Sequence, residues 1–248
     1  NQIPPRYDFA VRIEGPLLEP IQASMHRLWQ LVGWANLRRR LHESPQMPAT
    51  LDACGNMTAA FVVRDNLHHR RDIENAYLQA ITEARNEIII ACAYFLPGRR
   101  FRKALLGAAP RGVRVTLLLQ GRVEYALRHY ASQALYGILL DGGVHIHEYY
   151  KGFLHAKVAV VDGNWATVGS SNIDPFSLLL AREANVVVQD ASFAAELRSH
   201  LEQAMKTHSD EVTNHRWKNR RLPRRMLNWL AYSMVRLMTG LAGYGGLL

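Results

Sequence analysis

Cysteine is scarce in this chain of 248 residues: there are two, Cys54 and Cys92. Two residues so far apart supply neither a disulfide framework nor a metal-site spacing, and they suit a reducing compartment. Cys92 falls inside the apolar run 88–93 and reads as a small core residue. Histidines are more numerous, at 11. His145 and His147 share one face of an expected strand, but no third ligand accompanies them, and an edge strand is the better reading than a metal pair. Acidic residues stop at Glu211, whereas Arg216, Lys218, Arg220, Arg221, Arg224 and Arg225 follow it. The opening residues 1–6 have the features of neither a signal peptide nor a transit peptide. No internal segment is biased enough to be disordered, and a hydrophobic content of 48% is sufficient for a substantial core.

What is present is a run that begins at Leu154. Residues 154–161 (Leu-His-Ala-Lys-Val-Ala-Val-Val) alternate at first and then become continuously apolar, as a core strand does. With a side-chain period of 2, His155 and Lys157 share a face. Asp162, Gly163 and Asn164 are turn residues. A returning strand from Trp165 to Gly169 then brings Ser170, Ser171 and Asn172 beside the first pair. An imidazole suits nucleophilic or acid–base work near neutral pH, and an ammonium with an amide suits charge on phosphoryl oxygens. These are the groups needed to handle a phosphodiester without a metal.

The full spacing, H-x-K-x4-D-x6-G-S-x-N, resembles the signature of the phospholipase D superfamily. The stretches 166–177, 183–188 and 91–98 resemble bacterial cardiolipin synthases more closely. The resemblance implies that His155 and Lys157 bind and attack phosphate and that Asn172, with Ser170 or Ser171, helps to hold it. It makes Asp162 a structural support. It also implies that the loop Tyr94-Phe95-Leu96-Pro97-Gly98 borders a lipid pocket, with core packing of Phe95 as the alternative. No metal or organic cofactor is implied.

The family ordinarily carries two such motifs on two similar halves, and this chain has one. A weak internal repeat relates residues 8–32 to 183–206. Each has an acid, a short apolar strand, a turn and a helical pattern: Ile21, Met25, Leu28, Trp29 and Val32 against Phe193, Leu197, Leu201 and Met205. With the family pattern beside it, 1–35 reads as the tail of a first half and the chain as a C-terminal fragment. In the family an acid after each motif hydrogen-bonds the histidine of the opposite half. By position Asp8 would orient His155, and Glu183 would reach for the first-half histidine. The alternative is that both are surface acids at strand starts.

Residues 36–58, with three arginines, prolines and small polar residues, read as a linker. From 59 to 208 strands and helices alternate, the pattern of an α/β layer structure. Expected are a strand at 61–63, a helix capped by Asp72, strands at 87–93 and 113–120, helices at 99–109 and 124–140, a strand at 144–147, the hairpin, a strand at 183–189 and a helix at 191–206. The expected fold is thus α/β, a phospholipase D-like mixed sheet flanked by helices, with one complete half plus the tail of a preceding half.

Residues 209–248 combine the basic run with an apolar segment containing Trp229 and Tyr232. They read as a tail lying in the plane of an anionic membrane, the alternative being a helix packed on its own domain. The expected function is that of a phosphatidyltransferase making cardiolipin from phosphatidylglycerol through a phosphohistidine. Its expected partners are phosphatidylglycerol or a related phospholipid, an anionic membrane surface and the missing N-terminal half or a second copy, and nucleic acid is not expected. The expected location is peripheral, on the cytoplasmic face of a bacterial inner membrane. Two alternatives stay open: a metal-independent nuclease or phosphodiesterase completed by homodimerisation, and an inactive membrane-binding fragment.

Overall fold

The structure, a computed structural model, describes residues 5–35, 52–220 and 222–240. Most of the expected linker, Arg221 and the glycine-rich end of the tail lie outside the described residues.

An eight-stranded mixed sheet has the order β1-β7-β6-β5-β2-β3-β4-β8. Its strands are β1 (Thr58–Arg64), β2 (Glu87–Cys92), β3 (Arg114–Gln120), β4 (His145–Tyr149), β5 (Lys157–Val161), β6 (Trp165–Gly169), β7 (Glu183–Gln189) and β8 (Ser209–Glu211). β2, β3 and β4 run parallel, joined by crossovers that carry helices. β5 reverses direction against β2, and every strand beyond it is paired antiparallel.

Strands in the middle of the sheet are buried on both faces, which explains their continuous apolar runs. Alternate residues divide between two cores. Ile88, Ile90, Val115, Leu117, Leu119, Ala159 and Val161 face one, and Ile89, Ala91, Leu118, Val158 and Val160 face the other. Helices α2 (Asp72–Glu83), α3 (Arg99–Ala108), α4 (Ala126–Gln133), α5 (Tyr136–Asp141) and α9 (Leu222–Thr239) contribute to the first core. The second core is covered by α7 (Ala191–His208) through Ala194, Leu197, Leu201 and Ala204. Asp190 caps α7 by accepting a bond of 2.8 Å from Phe193 N–H.

Several sequence expectations need correction. The expected long helix over 124–140 is two helices, α4 and α5. Between them the backbone tightens to i→i−3 bonds at Ala134 and Leu135, while the Ser132 hydroxyl bonds the Phe95 carbonyl. Asp72 is the first residue of α2, not its cap; its carboxylate meets the His69 ring instead, at 2.7 Å. The strand expected near Asp8 has no ladder. Tyr7 makes an isolated parallel bridge to Leu154, and Tyr7, Phe9 and Val11 pack on the second core. β8 and two short helices, α6 (Pro175–Leu179) and α8 (Asn214–Lys218), were not expected. Because β8 pairs with β4 and α8 packs on α5, the chain after 208 is continuous with the sheet domain.

Asp162 occupies the end of β5 remote from Lys157. Its carboxylate accepts from Arg85, Asn86 and Glu87 N–H at 2.8, 2.8 and 2.9 Å, pinning the entry to β2 against β5. Burial acts to raise its pKa, but the N–H groups of Glu87, Arg85 and Asn86 outweigh it and hold the carboxyl below the usual aspartate range. Asp162 itself has a φ of 50° and Gly163 one of 64°, the geometry of a tight hairpin turn.

The Asp162→Ala variant should lose about 1–3 kcal/mol of unfolding free energy at neutral pH, measured by urea denaturation. A depressed aspartate pKa gives stability that is present above the unfolded value of about 3.9 and disappears as pH falls through the folded value. The difference between wild type and variant should therefore shrink on acidification below pH ~4. Gly169→Ala should also destabilise, by about 1–3 kcal/mol. An added Cβ would lie 2.2 Å from the Asn185 side chain and 2.7 Å from the Ala184 carbonyl oxygen.

Candidate active site

The sheet brings His155, Lys157, Ser170 and Asn172 to one end. β2 finishes at Cys92 directly beside the start of β5 at Lys157, and β6 finishes beside the start of β7 at Glu183. His155 lies just ahead of β5 and not within it. Its backbone N–H donates to the Tyr7 carbonyl at 2.8 Å, while Tyr7 N–H donates to the Phe153 carbonyl at 2.8 Å. These two bonds dock the segment 5–14 alongside the motif and bring Asp8 to the imidazole.

Asp8 Oδ2 is 2.6 Å from His155 Nδ1. An ionised carboxylate can only accept, so Nδ1 carries the proton and Nε2 is left for a substrate atom. The second carboxylate oxygen accepts from Phe9 N–H at 3.0 Å, which fixes the rotation of the group. The contact expected between Asp8 and His155 is thus present across 147 residues of sequence.

Lys157 is 6% exposed and donates to the His155 carbonyl at 2.5 Å. Burial lowers its pKa, and the charges of Asp8 and Glu183 act in the opposite sense without reversing the shift. Asn172 is turned by its oxygen, which accepts from Tyr94 N–H at 3.3 Å and faces Cys92 Sγ at 3.7 Å. The amide NH2 is then the group available to a phosphoryl oxygen. Cys92 is itself a clamp: its sulfur accepts from Ile173 N–H at 3.3 Å, and burial pushes the thiol up to about 12.

Ser170 hydrogen-bonds the Glu183 carboxylate and accepts from Ala184 N–H at 3.0 Å. One expected binding residue needs correction. Ser171 is 1% exposed and its hydroxyl points back to the Asn172 carbonyl at 3.3 Å. Phe95 is 2% exposed and edge-on to Phe101 in the core, and it also forms part of the floor of the pocket that Tyr94, Glu124 and Arg128 line. Tyr94 is half-buried and remains at the site; its hydroxyl donates to Glu124 Oε2 at 2.6 Å.

Sequence reasoning missed Glu124, Arg6 and Arg128. Glu124 also accepts from Arg6 at 2.5 Å, so one carboxylate ties the segment carrying Asp8 to the Tyr94 loop that holds Asn172. Arg128 lies over the Tyr94, Tyr125 and Phe176 rings at 5.0, 5.6 and 5.1 Å. Glu124 was hidden by the expectation of a helix there; it sits in the loop that leaves the carboxyl end of β3, where α/β sheets commonly build sites. A groove of about 920 Å³ elsewhere, lined by Val11, Ile13, Met57, Val186 and Val188 among others, holds none of these groups. Among the described residues no group of three or more His, Cys, Asp or Glu side chains could hold a metal ion.

The sheet is that of the phospholipase D-like proteins. A phosphatidylserine synthase from Haemophilus influenzae Rd KW20 superposes with a TM-score of 0.58 at 12% identity, over 76% of this chain and 47% of that one. Nuc from Salmonella typhimurium, a phospholipase D family member, gives 0.53 at 19% identity, over 64% of this chain and 99% of that one. Residues 77–205 match the family described as "Cardiolipin synthase, PLD-like domain", and the chain belongs to that family. It is 45% identical over 199 residues to cardiolipin synthase B of Escherichia coli (strain K12), covering 79% of this chain and 47% of that protein. It is 32% identical over 162 residues to the minor cardiolipin synthase ClsB of Bacillus subtilis (strain 168), covering 65% and 40%. The chain spans about half the length of the curated relatives it matches.

Removing the Asp8 charge should lower the Lys157 pKa further, because that carboxylate opposes the effect of burial. An NMR titration of the lysine Cε signal in wild type and Asp8→Asn should show the neutral amine appearing at lower pH in the variant. An unchanged titration would mean that Asp8 is not seated in solution.

Proposed function

We propose that the chain supplies the second half of a phospholipase D-type phosphatidyltransferase that makes cardiolipin from phosphatidylglycerol. The observation that carries the proposal is the Asp8–His155 contact, a carboxylate–imidazole pair beside a buried lysine and an oriented amide. It is supported by the resemblance to cardiolipin synthase B and by the family match.

In this reading a histidine of the opposite half attacks phosphorus of one phosphatidylglycerol. The bond to the headgroup glycerol breaks, and His155 Nε2 protonates the departing oxygen. A phosphatidyl-histidine remains. His155 then takes the proton from a hydroxyl of a second phosphatidylglycerol as that oxygen attacks phosphorus, the P–N bond breaks, and cardiolipin leaves. Lys157 and the Asn172 amide stabilise the non-bridging oxygens, where charge builds in each transition state. Asp8 stabilises the imidazolium when His155 is protonated. Glu183, held by Ser170, plays the part of Asp8 toward the opposite histidine.

Residues 1–35 are then the tail of a preceding half. Helix α1 (Leu18–Ala35) supports this: Met25 and Trp29 are 64% and 49% exposed, where the corresponding residues of α7, Leu197 and Leu201, are buried on the sheet. The proposed work takes place at a membrane surface, because both substrates are bilayer lipids, and we place it on the cytoplasmic side.

The test uses phosphatidylglycerol vesicles without divalent metal. This chain alone should be inactive, and a mixture with a separately expressed first half should form cardiolipin. In that mixture His155→Ala should lower the rate by about a hundred- to ten-thousandfold. Cardiolipin formed by this chain alone would refute the split-site reading.

A further inference from the structure

Helix α9 has two faces of different fate. Asn228, Ala231, Val235 and Thr239 are buried, with α9 packed along α4. At 3.6 residues per turn these positions form one stripe. The opposite side is also apolar, and it is open: Leu222, Met226, Trp229, Leu230, Met234 and Leu237 are each 55–71% exposed. Large apolar side chains gathered on one exposed face mark a surface that meets something other than water.

Charge indicates what that is. Not every base in the C-terminal run is available, since Lys218 pairs with Asp141 at 2.8 Å and Arg220 bonds Gln133 at 3.0 Å and lies over the Trp217 ring at 4.0 Å. Arg225 and Arg236 remain exposed along one border of the apolar face, with Arg224 at the helix start, and no acidic residue follows Glu211. A border that carries one sign only calls for an acidic surface opposite it. An apolar face of Leu, Met and Trp edged by arginine is the pattern of a helix lying at the headgroup–acyl boundary of an anionic bilayer. A helix with one flank against its own domain lies along such a surface. Among the described residues no helix is long and apolar enough to cross a membrane.

We propose that the outer face of α9 is a docking keel that inserts into the surface of an anionic bilayer and carries the sheet domain with it. The inference deepens the lipid-transfer reading and rests on it only in choosing a bilayer as partner. The sequence alternatives of an in-plane tail and a helix packed on its own domain are then both realised, on opposite sides of one helix.

Co-sedimentation of the full chain with phosphatidylcholine vesicles, with and without phosphatidylglycerol, tests the keel without any turnover. Wild type should bind the phosphatidylglycerol vesicles and bind the neutral ones far less. Arg225→Gln and Arg236→Gln should each weaken binding roughly fivefold, the effect of one basic residue near such a surface. A double change, Met226→Asp with Leu230→Asp, should reduce it by about a hundredfold or more while circular dichroism and thermal unfolding stay as in wild type, since neither side chain packs inside the domain. A control pair on α1, Met25→Asp with Leu28→Asp, should leave binding unchanged. Retained binding by the α9 double variant would overturn the proposal, as would equal binding to neutral vesicles or loss of binding with the α1 pair alone. Self-association that the α9 change abolishes, without any vesicle binding by wild type, would also overturn it and make the face a contact between copies. Failure here leaves the transfer chemistry standing, because the mixing assay reads cardiolipin and not attachment.

Discussion

β5 runs against β2, while β2, β3 and β4 run together. This reversal places the beginning of one strand beside the end of its neighbour, and the site is built from that adjacency. Parallel strands alone would leave every strand start at the end of the sheet remote from the loops. Here the residues before β5 and those after β2 and β6 meet within one small volume. The Ala93 N–H to Ala156 carbonyl bond of 3.0 Å prolongs the β2–β5 pairing past the last ladder residues. The Asp162 clasp secures the same pairing at its other end, so the seam is held at both extremities.

The site is also an electrostatic compromise. A buried ammonium is disfavoured, and burial alone would favour the neutral amine. Asp8 and Glu183, acids that approach from separate parts of the chain, restore part of the loss. Their carboxylates are in turn fastened, one by the Phe9 N–H and the other by the Ser170 hydroxyl. In the proposed transfer the positive and negative groups are oriented before the phosphate arrives, which avoids reorganisation in the transition state. Cys92, which sequence reading treated as filler, orients the amide side of the same arrangement through Ile173 and Asn172.

Much of this was legible in the chain. A strand run such as 87–92 is read correctly because burial on both faces leaves an apolar signature. The motif spacing is legible because a hairpin converts sequence distance into neighbourhood. Asp8 was legible only by pairing two weakly similar segments, since nothing local marks one aspartate among others. Glu124 and Arg6 were not legible: their partnership is a contact across 118 residues with no periodic pattern to announce it. The Ser171 assignment failed for a related reason. A motif says which residues cluster, but the strand exit decides which of them turns inward, and that choice depends on the packing of neighbouring elements.

The segment 5–14 is fastened by an isolated bridge, three aromatic and aliphatic side chains on the second core, and the Arg6–Glu124 pair. The central sheet, by contrast, is stitched on both sides along its length. Regions with few backbone pairings open at a smaller free-energy cost than the body that carries them. The imidazole's polarity is therefore set by a strap that can lift while the sheet remains intact. Heat or denaturant would disarm the histidine well before unfolding the domain, and the working range of the site is that of its weakest fastening.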